Sequence, residues 1–559
     1  MKTIIYQTIP RLFGNFNEQL VKNGNLSENG CGKFKTYTDK ALAAIKELGV
    51  THIWFTGIIR HATCTDYQAY GIAKDHRAVV KGKAGSPYSI KDYYDVDCDL
   101  AVNVENRMSE FESLIKRTHK ADMKVIIDFV PNHLARSYKS LMKPAYIRDL
   151  GENDDTNRAF AHTNNFYYLP GQHLELKCED SEEEYFDYSE FPAKVTGNDC
   201  FKAVPNCNDW YETVKLNYGI DYQNGHQKNF TPVPDTWHKM LDILLFWVDK
   251  NIDGFRCDMA EMVPVEFWEW VIPQVKSRKN VCFIAEVYNP SLYRDFIHRG
   301  KFDMLYDKVG MYDTLRDIIC WKSNVDKLIL CWRKTEDIQK NMLYFLENHD
   351  EQRIASDFFA GNSKTSLPAF ACLSMLNSNP VMIYNGQELG ERGMDEEGFS
   401  GRDGRTTIFD YWSMKSIRDW ANEGNFDGGK STQEELSLRN EYKKILRMVN
   451  DEKALSEGSF YGLDFCNDYP SNRITTFLRK HENELILVII NFDNEAHEVT
   501  IRIPDNAFNT LEIPDNAVSK TKNLITGEET VSALTQHSTF RTKVESNYYN
   551  IFKFNLLTQ

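Results

Sequence analysis

What most restricts the fold of this chain is an alternation that runs from residue 3 to residue 388: short β-rich runs recur, and helical patterns separate them. The candidate strands are TIIYQ (3–7), THIWFT (51–56), KVIIDFV (124–130), IDGFRCDM (252–259), VCFIAEVY (281–288), FDMLYD (302–307), MLYFLENHD (342–350) and PVMIYNGQE (380–388). Between them, DKALAAIKELG (39–49) places Leu42, Ile45 and Leu48 near one face, and ENRMSEFESLIKRTHKA (105–121) precedes the third strand. TWHKMLDILLFWVDKN (236–251) repeats Met240, Leu241, Leu244, Leu245 and Val248 at helical spacing. Repeated strand–helix units build a parallel sheet, and eight of them predict an α/β fold, a (β/α)8 TIM barrel whose active site lies at the C-terminal strand ends.

Two stretches break the rhythm. Residues 134–235 are rich in Asn, Asp, Glu and aromatics and too long for a βα loop, so an inserted subdomain is expected after strand 3. After about residue 453 only strand patterns remain, including RITTFLRK (473–480), ELILVIINF (484–492), HEVTIRI (497–503) and YNIFKF (549–554), as in an antiparallel β-sandwich. The expected division is a catalytic barrel over 1–133 and 236–452, an insert over 134–235 and a C-terminal sandwich over 453–559.

The chain of 559 residues carries a formal charge of −15, which repels phosphate backbones and anionic lipid. Nucleic acid and membrane surfaces are therefore not expected partners, and no apolar run is long enough to span a bilayer. The start MKTIIYQTIPRLFG reads as a strand, not a signal peptide. Twelve cysteines without a C-x-x-C pair speak against zinc and against a disulfide framework. A cytoplasmic location is the expectation, the alternative being a periplasmic or secreted protein whose leader was removed. Aromatic residues make up 13% of the chain, which permits a sugar binder without requiring one.

A lone Asp at a strand end is usually a structural or solvated carboxylate. Here four strand ends carry one: Asp128 in IIDFVPNH, Asp258 in GFRCDMA, Glu286 in FIAEVY and Asp350 in FLENHD. In a barrel they converge on one mouth, together with His133, Arg256 and His349. Arg256 stands two residues before Asp258, hence on the same side of the strand, while Cys257 turns to the opposite face as a buried thiol. An Arg256–Asp258 pair serving structure alone is the rival reading; on a central strand such a pair costs desolvation. Tyr88 reads equally as a packed ring or as a stacking surface, and His133 and His349 in isolation read as hydrogen-bonded loop residues. Gly386 and Glu388 in NGQE look like a tight turn with a structural carboxylate.

In order and placement, DFVPNH, GFRCDMA, AEVY and ENHD resemble the signature regions of the α-amylase family of glycoside hydrolases, glycoside hydrolase family 13. SPYSIKDYY (86–94), WYETVKLNYG (210–219) and IYNGQELG (383–390) extend the resemblance over essentially the whole chain. It implies a barrel with an insert after strand 3 and a terminal sandwich, and hydrolysis of α-glucans such as starch or maltodextrins with retention. Residue by residue, Asp258 matches the nucleophile, Glu286 the general acid/base and Asp350 the third carboxylate. Arg256 matches the residue that orients the nucleophile, His133 and His349 match donors to sugar hydroxyls, and Tyr88 matches an aromatic platform beneath the cleaved sugar. Asp128 matches a structural carboxylate. Trp210, Tyr211 and Asn217 either line the cleft or seal the insert against the barrel, and Tyr93 and Tyr288 fall in motifs at its rim. Trp54, Trp237 and Phe246 read as core.

Departures from the family pattern carry information. Many α-amylases have Lys and His three and four residues after the nucleophile, one contacting the next sugar and the other a calcium ion; this chain has Glu261 and Met262. Asn132 still matches a calcium ligand of some members; without the His no metal ligand is assigned and no cofactor is expected to be required, calcium staying open as the alternative. Two alternatives stay open: a transglycosylase or isomerase of the same family, which uses the same intermediate, and a non-catalytic binding or scaffold homologue. Oligomeric state, endo or exo action and α-1,4 or α-1,6 preference are not legible.

Overall fold

The computed structural model describes residues 2–176, 188–515 and 517–556; residues 177–187 of the expected insert, with Cys178, lie outside them. Eight parallel strands form the barrel: β1 (Ile4–Thr8), β2 (His52–Phe55), β3 (Lys124–Phe129), β4 (Gly254–Cys257), β5 (Cys282–Ala285), β6 (Met304–Tyr306), β7 (Met342–Leu343) and β8 (Val381–Tyr384). Their order is β7-β6-β5-β4-β3-β2-β1-β8. Tyr344 closes the ring, donating its N–H to the Pro380 carbonyl (3.0 Å) and accepting from the Met382 N–H (2.9 Å). Each candidate strand is present; β1 keeps five residues, shifted by one, and the other seven are shorter than their sequence runs, which continue into the loops that carry the polar strand-end residues.

Both faces of these strands are buried, so the barrel has an inner and an outer core. Ile5, Trp54, Ile126, Ile284, Tyr306, Leu343, Phe345 and Met382 fill the inside. Among the described residues β4 adds no apolar side chain to that cluster; Arg256 stands there instead, fully buried. Alternation sends Phe255 and Cys257 outward, into the cluster that also holds Phe267, Trp268 and Val271. Those three lie on the helix that follows β4, so one strand supplies both a charged interior and an apolar exterior.

Helix α1 (Asp39–Lys46) starts at Thr38, whose hydroxyl accepts from the Ala41 N–H (3.2 Å), and buries Leu42 and Ile45. Helix α2 (Arg107–Lys120) buries Phe111, Leu114 and Ile115. Helix α3 (Asp235–Asp249) forms where expected, but its buried stripe runs through Trp237, Met240, Ile243, Leu244, Trp247 and Val248. Leu241 and Leu245, expected in that stripe, are only half-buried, since the larger Trp rings turn the helix toward α2 and Tyr93. Helix α4 (Val265–Arg278) follows β4 and contains Pro273, which interrupts its pattern in the sequence.

Two excursions rise above the C-terminal strand ends. The one after β3 is tied at its base by an antiparallel pair, His133–Ala135 with Thr213–Lys215, and holds its own small core of Tyr167, Leu169, Leu174, Ala193 and Val195. The other, after β2, pairs Ile59–His61 with Ile90–Val96 and buries Arg60 between Asp92 and Asp95, each 3.1 Å away. Beyond helix α5 (Gln433–Asp451), an antiparallel sheet contains β9 (Ser459–Gly462), β10 (Ile474–His481), β11 (Glu484–Asn491), β13 (Ala517–Asn523), β14 (Glu529–Leu534) and β16 (Tyr548–Leu556). A second layer pairs β12 (His497–Arg502) with β15 (Thr539–Val544). Along β11 the period of two is plain: Leu485, Leu487 and Ile489 face the second layer, while Ile486, Val488 and Ile490 pack on the barrel side with Phe370 and Leu373. Among the described residues no helix is long and apolar enough to cross a membrane.

Candidate active site

The strand-end carboxyls meet at a single guanidinium. Arg256 on β4 places Nη1 2.6 Å from Asp258 Oδ1 and 3.4 Å from Asp128 Oδ1, and Nη2 2.8 Å from Glu286 Oε2. Its Nε donates to Tyr306 Oη (3.3 Å), and the rings of Trp54, Tyr88 and Tyr306 lie 5.3–5.6 Å from its Cζ. Register accounts for this convergence, since Arg256 lies beside Asp128 on β3 and beside Ile284 on β5, two residues before Glu286. Asp128 also accepts from Trp54 Nε1 (3.1 Å) and the Gly57 N–H (3.4 Å), the partners of a positioning carboxylate.

Glu286 is held by more than charge. Its Oε2 accepts from the Met259 N–H (2.7 Å) and its Oε1 from the Tyr288 hydroxyl (2.7 Å). Met259 adopts a left-handed backbone (φ 43°), a strained state for a side chain of this kind, and that turn aims its N–H at the carboxylate. Glu261 accepts from the N–H groups of Tyr288 and Asn289 (3.1 and 3.0 Å) and so fixes the loop bearing Tyr288.

On the other side, His349 Nε2 lies 3.0 Å from Asp350 Oδ2 and 2.6 Å from Tyr88 Oη, and its Nδ1 lies 2.7 Å from Gln7 Nε2. Tyr88 stacks on the His349 ring at 5.2 Å, is only partly buried and lines the cavity. His133 Nε2 is 4.0 Å from Asp258 Oδ2, and Asn132 Nδ2 lies 3.2 Å from His133 Nδ1. With the amide donating to Nδ1, a neutral His133 carries its proton on Nε2, facing the cavity. The cavity, about 220 Å³, is lined by Tyr88, His133, Asp258, Glu286, His349 and Asp350, all predicted from sequence. Arg256 lies beneath it as its buried floor. Lys81, Trp210, Glu212, Tyr288, Phe399 and Phe409 also line the cavity.

Three carboxyls sharing one guanidinium, with Asp350 close by, cannot all ionise cheaply. Burial pushes Asp258 up to about 6, Arg256 opposing and the charges of Asp128 and Asp350 adding to the rise. Glu286 is raised by burial and by Asp258 and Asp350, against the pull of Arg256. For Asp350 burial acts upward as well, but His349, Arg256 and Arg405 outweigh it and hold the carboxyl below its ordinary value. Burial drives His133 down to about 3, so its ring is neutral. Cys257 is wholly buried with its thiol pushed up, away from any reactive state.

Some expectations change. Tyr93 does not reach the rim: it is fully buried, and its hydroxyl donates to the carbonyls of Val130 (2.6 Å) and His133 (3.2 Å). Asn217 seals the insert, its amide donating to the Ala161 and Asn164 carbonyls (2.9 Å each). Of that segment Trp210 does line the cavity, with φ 46° and its ring 5.2 Å from His133, whereas Tyr211 is largely buried. Phe246 is half-buried between Tyr94 and Trp247. Gly386, at φ 92°, makes the tight turn, and Glu388 accepts from Tyr6 Oη (2.8 Å) and the Gly386 N–H (3.1 Å). Sequence reasoning missed Gln7, Lys81, Glu212, Phe399 and Phe409.

The residues near Asn132 do not fit a calcium ion. Its Oδ1 accepts from Lys215 Nζ (2.9 Å), its Nδ2 donates to the Gly197 carbonyl (2.8 Å), and Lys215 Nζ also pairs with Asp199 Oδ1 (2.6 Å). An ammonium on the chain itself, 1% exposed, takes up the oxygens that a divalent ion would need. Among the described residues no group of three or more His, Cys, Asp or Glu side chains is arranged to hold a metal.

Comparison with known proteins gives the same assignment. The family model described as alpha amylase, catalytic domain, matches residues 9–456. Alpha-amylase MalA of Haloarcula japonica is 24% identical over 477 residues, covering 84% of this chain; the chain spans about half of that relative, 54%. Alpha-amylase 3 of Dictyoglomus thermophilum is 23% identical over 448 residues, 75% of this chain and 79% of that protein. In structure, the maltogenic α-amylase AmyB of Thermotoga neapolitana superposes with a TM-score of 0.63 at 20% identity, covering 99% of both chains. An α-amylase of Geobacillus thermoleovorans superposes with a TM-score of 0.63 at 18% identity, covering 100% of this chain and 99% of its own. These two likenesses speak for the fold, and the family model, which spans most of the chain, decides membership: the chain belongs to the α-amylase family of glycoside hydrolases.

Proposed function

We propose that the protein hydrolyses α-glucosidic bonds in α-glucans such as starch or maltodextrins, with retention, through a covalent glucosyl–Asp258 intermediate. The observation that carries this reading is the buried Arg256 bridging Asp258 and Glu286 in one sugar-sized cavity. Retaining hydrolysis needs an ionised carboxylate to attack the anomeric carbon and a protonated carboxyl to donate to the leaving oxygen. Asp258 accepts a 2.6 Å hydrogen bond from Arg256 and, at about 6, is ionised near neutrality. Glu286 is raised by its burial and by facing Asp258 and Asp350, the direction that favours the protonated acid the reaction needs.

The two Glu286 oxygens do different work. Oε2 is engaged by Arg256 and the Met259 N–H, which only donate, so it stays an acceptor. The proton therefore sits on Oε1, beside a Tyr288 hydroxyl that can either accept or donate. In the first step Asp258 Oδ2 forms a bond to the anomeric carbon, the glycosidic C–O bond breaks, and the Oε1 proton passes to the departing oxygen. In the second, the Glu286 carboxylate takes a proton from water as its oxygen attacks the same carbon, and the Asp258 ester bond breaks. Asp350 and His349 hold sugar hydroxyls, and the neutral His133 donates from Nε2. Tyr88 supplies an apolar face for the ring.

The test is chromatography of products from starch, maltoheptaose, sucrose, trehalose and an α-1,6 oligosaccharide, alongside Asp258→Asn and Glu286→Gln proteins. Hydrolysis products that disappear with Asp258→Asn support the reading. Longer or rearranged products would mean that a sugar, not water, takes the glucosyl group. Unchanged turnover in Asp258→Asn would overturn the mechanism.

A further inference from the structure

We propose that Glu212 is a specificity-determining residue, accepting a hydrogen bond from a hydroxyl of the sugar on the non-reducing side of the cleaved bond, with Lys81 holding it in place. The inference rests on the function proposed above. Glu212 is 3% exposed, yet it lines the cavity, and its Oε2 has no hydrogen-bond partner. A buried carboxylate oxygen left unmatched is costly, and a sugar hydroxyl is the donor this cavity is built to receive. The other oxygen, Oε1, lies 3.0 Å from Lys81 Nζ. Lys81 comes from the excursion after β2 and Glu212 from the end of the insert, so the pair spans the cavity mouth between two excursions. The ammonium also lies 5.8 Å from the Phe409 ring and 6.0 Å from the Tyr211 ring, which narrows that end further.

Strand order gives the side. β4 with Asp258 lies between β3 and β5; Glu286 follows β5, whereas His133 follows β3. Glu212 directly precedes the strand that pairs with His133–Ala135, and its charge acts on His133. The acid must face the leaving group, so the His133 and Glu212 side holds the part of the substrate that stays on Asp258. At about 220 Å³ the cavity is below the roughly 300 Å³ at which pockets for drug-sized ligands begin, room for little more than one sugar ring. A charged bridge closing that end makes the site a reader of chain ends.

The experiment measures kcat and KM for 4-nitrophenyl α-glucoside and for maltotriose in the unaltered protein, Glu212→Ala and Glu212→Gln, with thermal unfolding of each. Release of fluoride from α-glucosyl fluoride by the unaltered protein is the control for the underlying activity; without it the proposed function fails, and not this inference alone. The expected result is a fall in kcat/KM of about 10- to 100-fold for Glu212→Ala, the worth of one hydrogen bond to a charged group, carried mainly by KM. Glu212→Gln, which keeps an acceptor oxygen, recovers part of the loss. The fall should be equal for the nitrophenyl and sugar leaving groups. A folded Glu212→Ala protein with unchanged KM, or one that only melts earlier, would overturn the proposal and leave a structural strap. A loss confined to maltotriose would place the contact on the leaving-group side and overturn it too.

Discussion

Replacing Asp258 by Asn should abolish turnover and at the same time stabilise the fold. In an unfolded chain an Asp titrates near 3.9, while in the folded protein burial lifts Asp258 to about 6. A raised carboxyl means that the native state holds its proton more tightly than the unfolded one. The native state is therefore least burdened below pH 3.9; the cost of the charge grows as pH rises and levels off above 6. About two pH units correspond to about 3 kcal/mol at pH 7.5. Asn is nearly isosteric, its carbonyl still accepts from Arg256, and Arg256 keeps Glu286 and Asp128 as partners. With an unfolding entropy of about 2.1 cal/mol/K per residue, a cooperative unit the size of this barrel melts about 4 °C higher in the variant. Scanning calorimetry at pH 7.5 and pH 4 measures both quantities. The gain should be present at pH 7.5 and mostly gone at pH 4. A variant that melts at or below its parent at pH 7.5, or a gain that does not change with pH, would refute the burial argument.

Further outcomes follow from the same geometry. The pH profile of kcat/KM should rise through about 6 as Asp258 ionises and fall at higher pH as Glu286 loses its proton, the two limbs belonging to the coupled pair; a profile flat across pH 5–9 contradicts it. Tyr288→Phe removes a donor to Glu286 Oε1 that favours the charged form, so the alkaline limb should move up by about half to one pH unit. Arg256→Lys cannot bridge Asp258 and Glu286 at once; losing the hydrogen bond to Asp258 and the ion pair with Glu286 should cost about 10²- to 10⁴-fold in kcat/KM, measured on an activated aryl glycoside. Because Lys215 takes up the oxygens of Asn132 and Asp199, a chelator should leave activity and melting temperature unchanged, while Lys215→Ala should lower the melting temperature by several degrees.

How much of this was readable beforehand depends on the range of the interaction. The barrel was legible because each strand announces itself locally, and Arg256 and Asp258 because period-two spacing puts them on one side. The α3 stripe shifted because Trp237 and Trp247 outcompete Leu241 and Leu245 for the interior, a packing contest that spacing alone does not decide. Tyr93 sits in the same motif as Tyr88, yet its hydroxyl reaches two carbonyls beneath the rim, and only the fold shows which ring points up. Gln7 carries no signature at all; it matters because β1 ends beside His349. Lys81, Glu212 and Phe409 come from three separated segments, so their meeting at the cavity is a tertiary event. Lys215 was visible in the sequence, but its role required Asn132 and Asp199 to be brought around it.

The central claim is that Asp258 forms a covalent bond to the sugar. Glu286→Gln protein incubated with an α-glucosyl fluoride, which needs no acid to depart, should accumulate the intermediate, and peptide mass spectrometry after acid quench reads where the sugar is attached. The account predicts one hexosyl residue on the peptide that contains Asp258, absent when Asp258→Asn is added. Fluoride release with no labelled peptide, or a label on another carboxylate, would contradict it.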